Sequence, residues 1–106
     1  MRTVEQSRTV ATTQNDDAAG RFRILSPKEG DIFKIDSILR SDYQRIELRA
    51  EVPGSIREVR WYIDGEFKGS FDFPYTMSWK IVEGDHRIMA VADNGVSDSV
   101  NIIVLP

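Results

Sequence analysis

The stretch "VRWYIDG", residues 59–65, places a tryptophan and a tyrosine side by side just before an Asp-Gly turn. Two adjacent aromatic rings could form a platform for a sugar ring, or one could fill the core while the other lies on the surface. Successive side chains of a β-strand point to opposite faces, and Val59 and Ile63 share the face of Trp61. This pattern predicts a buried Trp61 and an outward-facing Tyr62, so that Tyr62 becomes a candidate for partner binding.

His86 is the only histidine in the chain, and there is no cysteine. These counts exclude a multi-histidine metal site, a cysteine zinc site, a disulfide and thiolate catalysis. They also leave acid–base chemistry without a second imidazole. His86 follows a Glu83-Gly84 turn at the start of a strand, where β-sandwiches use a buried aromatic ring that bonds the nearby backbone. We therefore expect a structural role for His86.

Asp93, Asn94 and Asp98 surround Gly95 and carry oxygens that calcium could use. Their spacing does not match an EF-hand loop, and the same residue types are typical of ordinary turns. We expect no metal and no cofactor.

Length and charge limit the classes of function. The 106 residues suffice for a single domain, and the net charge of −3 comes from interspersed acidic and basic residues. This distribution argues against binding to nucleic acid or to a membrane surface. The first residues lack a signal-peptide pattern, so we expect any export signal to lie elsewhere in a longer parent protein.

Polar composition separates the beginning of the chain from the rest. Residues 1–21 are rich in Thr, Gln, Asn, Asp and Ala, which predicts a flexible linker or disordered arm. Residues 22–106 contain short apolar segments divided by turn signals about every ten residues, apart from a polar stretch, "SILRSDYQ". We expect one folded domain over residues 22–106, and we expect it to be a monomer.

Alternation with a period of two marks the strands and predicts the core. In "RIELRAEV", residues 45–52, every second residue is apolar and the others are charged, as in a strand with one solvated face. The same pattern recurs further along the chain. Together these segments predict an all-β, immunoglobulin-like β-sandwich of about seven strands. The predicted inward-facing residues are Ile46, Leu48, Val59, Trp61, Ile63, Trp79, His86, Ile88, Val100 and Ile102.

The order of these segments resembles a known family. The stretches "ILSPKEGDIF", "IELRAEV", "VRWYIDGEFKG", "SWKIVEGDHRIMAVADNGVSDSV" and "NIIV" are similar to the immunoglobulin-like domain at the C-terminus of penicillin-binding protein 1C. The matching positions are Pro27, Gly30 and Asp31, the group Trp61, Tyr62, Asp64 and Gly65, then Gly84, His86 and the "ADNG" turn. The resemblance covers approximately residues 22–104.

This resemblance implies a periplasmic, non-catalytic accessory or interaction domain of a peptidoglycan synthase. The glycosyltransferase and transpeptidase activities would belong to other domains of the parent protein. In agreement, the sequence contains neither Ser-x-x-Lys nor Lys-Thr-Gly, so it lacks the serine nucleophile motif of penicillin-binding enzymes. The implied partners are the catalytic domains of the synthase or another cell-wall protein.

A second interpretation stays open on the same residues. The domain could be a carbohydrate-binding or spacer module of an exported polysaccharide-active enzyme that stacks aromatic side chains on glycan. The candidates for either partner surface are Tyr62, Phe73 and Tyr75. An independent enzyme is disfavoured, because one histidine and no cysteine provide no nucleophile–base pair.

Overall fold

The computed structural model describes residues 21–40 and 43–106, and these residues form eight β-strands and no α-helix. Within this part of the chain there is no helix long and apolar enough to cross a membrane. The predicted arm lies outside the described residues, except for Arg21. The strands are β1 (Arg23–Ser26), β2 (Ile32–Lys34), β3 (Arg45–Glu51), β4 (Val59–Ile63), β5 (Glu66–Phe71), β6 (Met77–Lys80), β7 (Gly84–Ala92) and β8 (Ser97–Leu105).

Two sheets build the sandwich, as the sequence predicted. One has three strands in the order β1-β3-β6, and the other has five in the order β2-β8-β7-β4-β5. The chain reaches both sheets within its first strands, because β1 pairs with β3 while β2 pairs in parallel with β8. The turn around Pro27 separates β1 from β2, and the described residues form eight strands where the sequence predicted about seven.

The β4–β5 hairpin explains the Asp64-Gly65 signal. Asp64 and Gly65 both have positive φ angles, 55° and 83°. Positive φ at both central residues defines a type I′ turn, whose twist suits two antiparallel strands, and Asp-Gly is a favoured pair for it. The turn fixes the alternation in β4, so that Trp61 faces inward and Tyr62 outward.

The core lies between the sheets and is centred on Trp61, which is fully buried. Buried with it are Leu48, Val59, Ile63, Trp79, Ile88, Val100 and Ile102, together with Ile24, Ile56, Met77, Ala90, Ala92 and Val104. Two predicted core residues differ. Ile46 is only half-buried at the rim, and His86 lies beside the core with part of its surface exposed, because both are near the ends of their strands.

The connections gather at two opposite ends of the sandwich. At the first, which we call the β1 end, lie the loops 52–58 and 72–76 and the turn 93–96. At the second, the distal end, lie residues 35–40 and 43–44 between β2 and β3, the turn 81–83 and the last residues of β8. Backbone bonds join the distal elements: Ile35 N donates to Leu105 O over 2.9 Å, and Ile81 N donates to Gln44 O over 3.0 Å.

Candidate functional site

The outer face of the five-stranded sheet carries an aromatic pair. Tyr62 on β4 lies opposite Phe67 on β5, and the ring centroids are 5.6 Å apart with a tilt of 59°. Phe67 is exposed, whereas Tyr62 is half-buried between Phe67 and Met89 of β7. The tilted rings give a small aromatic patch and not a flat platform.

The loop between β5 and β6 uses its aromatic residues differently. The Tyr75 carbonyl accepts a hydrogen bond of 2.8 Å from Trp61 Nε1, and the Tyr75 hydroxyl donates one of 2.9 Å to Ile56 O. Tyr75 therefore provides the hydrogen-bond acceptor for the one polar side-chain atom of the buried Trp61. Phe73 packs edge-on against Tyr75 and is otherwise exposed to 81%.

The structure does not assemble Tyr62, Phe73 and Tyr75 into one surface. Tyr62 lies on the outer face of its sheet, whereas Tyr75 bonds Trp61 on the inner face. Tyr75 thus has a structural role at the β1 end, and its assignment to a partner surface stays a prediction. The sequence could not reveal this, because the role depends on contacts with residues 14 and 19 positions away.

His86 forms a corner at the start of β7. Its Nε2 lies 2.7 Å from Val82 O, four residues upstream, and its Nδ1 lies 2.6 Å from Asp64 Oδ2. The ring also packs edge-on against Trp79 with centroids 5.0 Å apart. The imidazole thus ties the turn before β7 to the β4–β5 turn, in the way that an aromatic corner ties such sandwiches.

Both partners of the imidazole are hydrogen-bond acceptors, so the protonated ring satisfies them best. Burial disfavours the charged ring, but the bonds to Asp64 and Val82 outweigh it and raise the pKa of His86 above its ordinary value of 6.5. Burial likewise opposes the Asp64 carboxylate, yet bonds from His86 and from the Arg87 backbone hold the pKa of Asp64 below its ordinary value of 3.8. Below the raised pKa of His86, the imidazolium and the Asp64 carboxylate form an ion pair.

A shallow cleft of about 480 Å³ lies over β7 and β8 beside this pair. Its titratable lining consists of His86 together with Glu29, Asp64, Asp85 and Arg87, and the lining includes no serine, threonine, cysteine or lysine. Glu29 already accepts the Asn101 backbone N–H, and Asp64 accepts that of Arg87. These carboxylates hold the fold together, and the cleft offers no nucleophile beside the imidazole.

The three turn residues considered as calcium ligands each serve a separate backbone group. Asp93 accepts from Arg57 N, Asn94 from Val96 N, and Asp98 from Ile24 N. Across residues 21–40 and 43–106, no cluster of three acidic, histidine or cysteine side chains could hold a metal ion.

The distal end carries a group of exposed apolar residues that the sequence analysis did not predict. Ile38 is 90% exposed and Tyr43 is 70% exposed, and Leu39 beside Ile38 is exposed as well. We call Ile38, Leu39 and Tyr43 the apolar knob. They belong to the stretch that we interpreted as polar, although two adjacent aliphatic residues outside any alternating pattern were a usable signal.

The fold and these surfaces define a class of protein: an immunoglobulin-like β-sandwich whose polar side chains largely support the fold. The sequence profile of the Penicillin-Binding Protein C-terminus Family matches residues 11–102. The chain belongs to this family. No curated protein matches the chain.

Solved structures support the fold. The fibronectin(III)-like modules of CbhA from Clostridium thermocellum align with a TM-score of 0.61 and 28% identity, over 80% of this chain and 96% of that one. The CARDB domain of a Pyrococcus furiosus protein, solved in complex with di-metal ions, aligns with a TM-score of 0.51 and 18% identity. That alignment covers 79% of this chain and 90% of the other, and it is evidence for the fold alone.

Proposed function

We propose that this chain is a non-catalytic accessory domain of a peptidoglycan synthase related to penicillin-binding protein 1C, and that it acts in the periplasm. The observation that carries the proposal is the family match over residues 11–102. The domain would bind the catalytic domains of its own synthase or another cell-wall protein, and glycan transfer and crosslinking would take place in those other domains.

The chemistry of the described surfaces supports a binding role. Acyl transfer from a penicillin needs an activated serine, and the sequence has no Ser-x-x-Lys motif. Both nitrogens of the single imidazole are engaged, by Asp64 and by Val82. A histidine with both nitrogens occupied is poorly placed to act as a general base.

Two measurements on the 106-residue chain test this proposal. The first is titration with the purified catalytic domains of the synthase, for which we expect saturable binding. The second is incubation with a labelled penicillin, for which we expect no covalent adduct. A stable acyl adduct on any serine of this chain would contradict a non-catalytic role, and absence of binding to the catalytic domains would exclude them as the partner.

The Tyr62–Phe67 pair favours one alternative, a carbohydrate-binding module. Aromatic side chains on an outer sheet face can stack on sugar rings, although these two rings are tilted by 59°. On this alternative, Phe67→Ala would abolish retention of the chain on purified peptidoglycan, while Val96→Ala, at an exposed apolar residue of the β1 end, would serve as the control. Equal retention of both variants and the unaltered chain would exclude this site for glycan.

A further inference from the structure

Two turns of the domain place an Asp or Asn residue directly before a glycine, and the two side chains have different surroundings. Asp64-Gly65 closes the β4–β5 hairpin, and Asn94-Gly95 lies in the turn between β7 and β8. We propose that Asn94 is a site of spontaneous covalent modification, at which the side-chain amide is lost and an isoaspartate forms. This modification is independent of the accessory function proposed for the domain.

The reaction joins the side chain of Asn94 to the backbone nitrogen of the next residue. Gly95 N loses its proton to solvent and attacks Asn94 Cγ. An N–Cγ bond forms, the Cγ–Nδ2 bond breaks, and the amide takes up a proton and leaves as ammonia. Water then opens the resulting succinimide ring. Attack of water at the main-chain carbonyl carbon leaves Gly95 attached through Cγ, which is an isoaspartate, and no atom is oxidised or reduced.

The surroundings of Asn94 favour this reaction. Asn94 and Gly95 are both exposed, so water reaches the amide and the attacking nitrogen. Val96 N donates to Asn94 Oδ1 over 3.0 Å, and a donor at this oxygen stabilises the negative charge that develops there during attack. In the described part of the chain, apart from its own chain neighbours, no heavy atom lies within 4 Å of the position that a Cβ on Gly95 would take. Nothing therefore crowds the approach of Gly95 N to the side chain.

One hydrogen bond opposes the reaction in the folded domain. Gly95 N donates to Ala92 O over 2.9 Å, and the nitrogen must leave this bond before it attacks. A single hydrogen bond in an exposed turn contributes little, and local opening of a turn costs far less than unfolding of the whole domain. We therefore expect the folded chain to react through local opening of the turn, and the unfolded chain to react faster.

The β4–β5 turn is protected from the same chemistry. Asp64 Oδ1 accepts from Arg87 N over 2.9 Å, and Asp64 Oδ2 lies 2.6 Å from His86 Nδ1. These bonds fix the carboxylate against β7, so it is not free to turn towards Gly65 N. A carboxyl group must also be protonated before it can lose an oxygen, and the same bonds hold the pKa of Asp64 below its ordinary value of 3.8. Asp64 is therefore an internal control for the reactivity of Asn94.

An isoaspartate at this position changes the turn in two ways. It inserts one methylene group into the main chain between Ala92 and Val96, whose backbone groups close the turn through a bond of 2.8 Å from Ala92 N to Val96 O. It also converts a neutral amide into a carboxylate beside Asp93, so the net charge of the chain changes from −3 to −4. Asp93 itself accepts from Arg57 N in the loop before β4. We therefore expect the modified domain to melt at a lower temperature.

The test is prolonged incubation of the folded 106-residue chain at mildly alkaline pH in heavy-oxygen water, followed by tryptic peptide mapping with mass spectrometry. Incorporated heavy oxygen marks each residue that has reacted, and an isoaspartyl methyltransferase labels isoaspartate. Trypsin releases residues 88–106 as one peptide, which contains both Asn94 and Asn101. Asn101 lies in β8 and precedes the β-branched Ile102. We expect Asn94 to react at least about tenfold faster than Asn101, because a strand in the sheet opens less often than a turn.

A second solvent condition and one variant complete the test. In urea we expect Asn94 to react about tenfold faster, since the bond from Gly95 N is lost, and we expect Asp64 to form isoaspartate as well. Asn94→Gln keeps an amide in the same exposed turn but needs a less favourable six-membered ring. We expect no reaction at this position in the variant and a melting temperature that is unchanged by incubation, whereas that of the unaltered chain falls.

Three outcomes would overturn the proposal. If Asn94 stays intact in the folded chain while it reacts in urea, the fold protects this turn as well, and Asn94 is not a modification site of the folded protein. If Asp64 reacts as fast as Asn94 in the folded chain, the hydrogen bonds of the two turns do not decide their reactivity. If Asn101 reacts as fast as Asn94, the turn and its glycine confer no preference.

Discussion

Two loops of this domain contain exposed bulky side chains, but they make opposite use of their polar groups. In the loop 72–76, the polar atoms of Tyr75 bond the core residues Trp61 and Ile56, so the ring is part of the scaffold. In the loop between β2 and β3, the side chains of Gln44 and Asp36 bond backbone groups of the same loop, and Ile38 is left in solvent. Loop residues whose polar atoms bond the core serve stability, whereas a loop that satisfies its own polar groups can present apolar residues to a partner.

The largest expected effect is at the tryptophan that the first loop supports. Trp61→Ala removes a fully buried side chain and leaves a cavity between the sheets, which costs about 3–5 kcal/mol. We expect the domain to lose a large fraction of its stability, because the total free energy of unfolding is only about 5–15 kcal/mol. Urea denaturation followed by fluorescence of Trp79 measures it.

Tyr62→Ala is the matched control for this change. It truncates the neighbouring aromatic residue, which faces outward, and loses a ring contact of about 1 kcal/mol. If the Tyr62→Ala variant unfolds and the Trp61→Ala variant stays folded, the register of β4 is shifted by one residue.

A Tyr→Phe substitution in each of the two loops gives the next largest difference in the free energy of unfolding. Tyr75→Phe deletes the hydroxyl that bonds Ile56 O and leaves that carbonyl without its partner, so we expect a loss of about 1 kcal/mol. Tyr43→Phe deletes an exposed hydroxyl in the other loop, and we expect a change within about 0.5 kcal/mol. Equal effects in thermal melts would remove the distinction between the two loops.

The strands could be predicted from the sequence because their pattern is local. Alternation in "VRWYI" and "RIELRAE" assigned the inward face of β4 and β3, and Asp64-Gly65 marked the hairpin. The loops could not be predicted in the same way. The structural role of Tyr75 depends on Trp61, and the knob depends on a bond between Gln44 and Asp36 that spans eight residues. No short-range pattern encodes either contact.

A smaller effect on stability is expected from the ion pair between His86 and Asp64, which links the turn before β7 to the β4–β5 turn. Because the pKa of His86 is raised, its contribution is complete below pH 6.5 and is lost as the pH rises through the raised value. Because the pKa of Asp64 is lowered, its contribution is complete above pH 3.8 and is lost as the pH falls through the lowered value. The pair therefore stabilises the domain most between pH 3.8 and 6.5.

Asp64→Asn isolates this pair, because asparagine suits the positive φ of 55° at this turn position. We expect a lower melting temperature at pH 6 and a flatter profile from pH 6 to pH 8 than in the unaltered chain. Since the Asp64 side chain is about half exposed, the effect is modest. Parallel profiles for the two proteins would mean that His86 is not charged in the fold.

The smallest expected effect on stability is at the knob itself. Ile38→Ser exchanges a side chain that is 90% exposed. We therefore expect the free energy of unfolding, measured by urea denaturation, to stay within about 0.5 kcal/mol of that of the unaltered chain. An unchanged stability would distinguish Ile38 from Tyr75, whose side chain contributes to the stability of the fold. A loss above about 2 kcal/mol would show that Ile38 packs against the domain and that the two loops do not differ.

The position of β8 has a consequence for biosynthesis. This strand is made last, yet it lies between β2 and β7, and its final residues pair with β2. While residues 97–105 are still inside the ribosome or a translocation channel, β2 has no neighbour and β7 presents an open edge. Open edges of unfinished sheets are sites of aggregation and proteolysis. The nascent chain therefore exposes these edges until Leu105 has emerged.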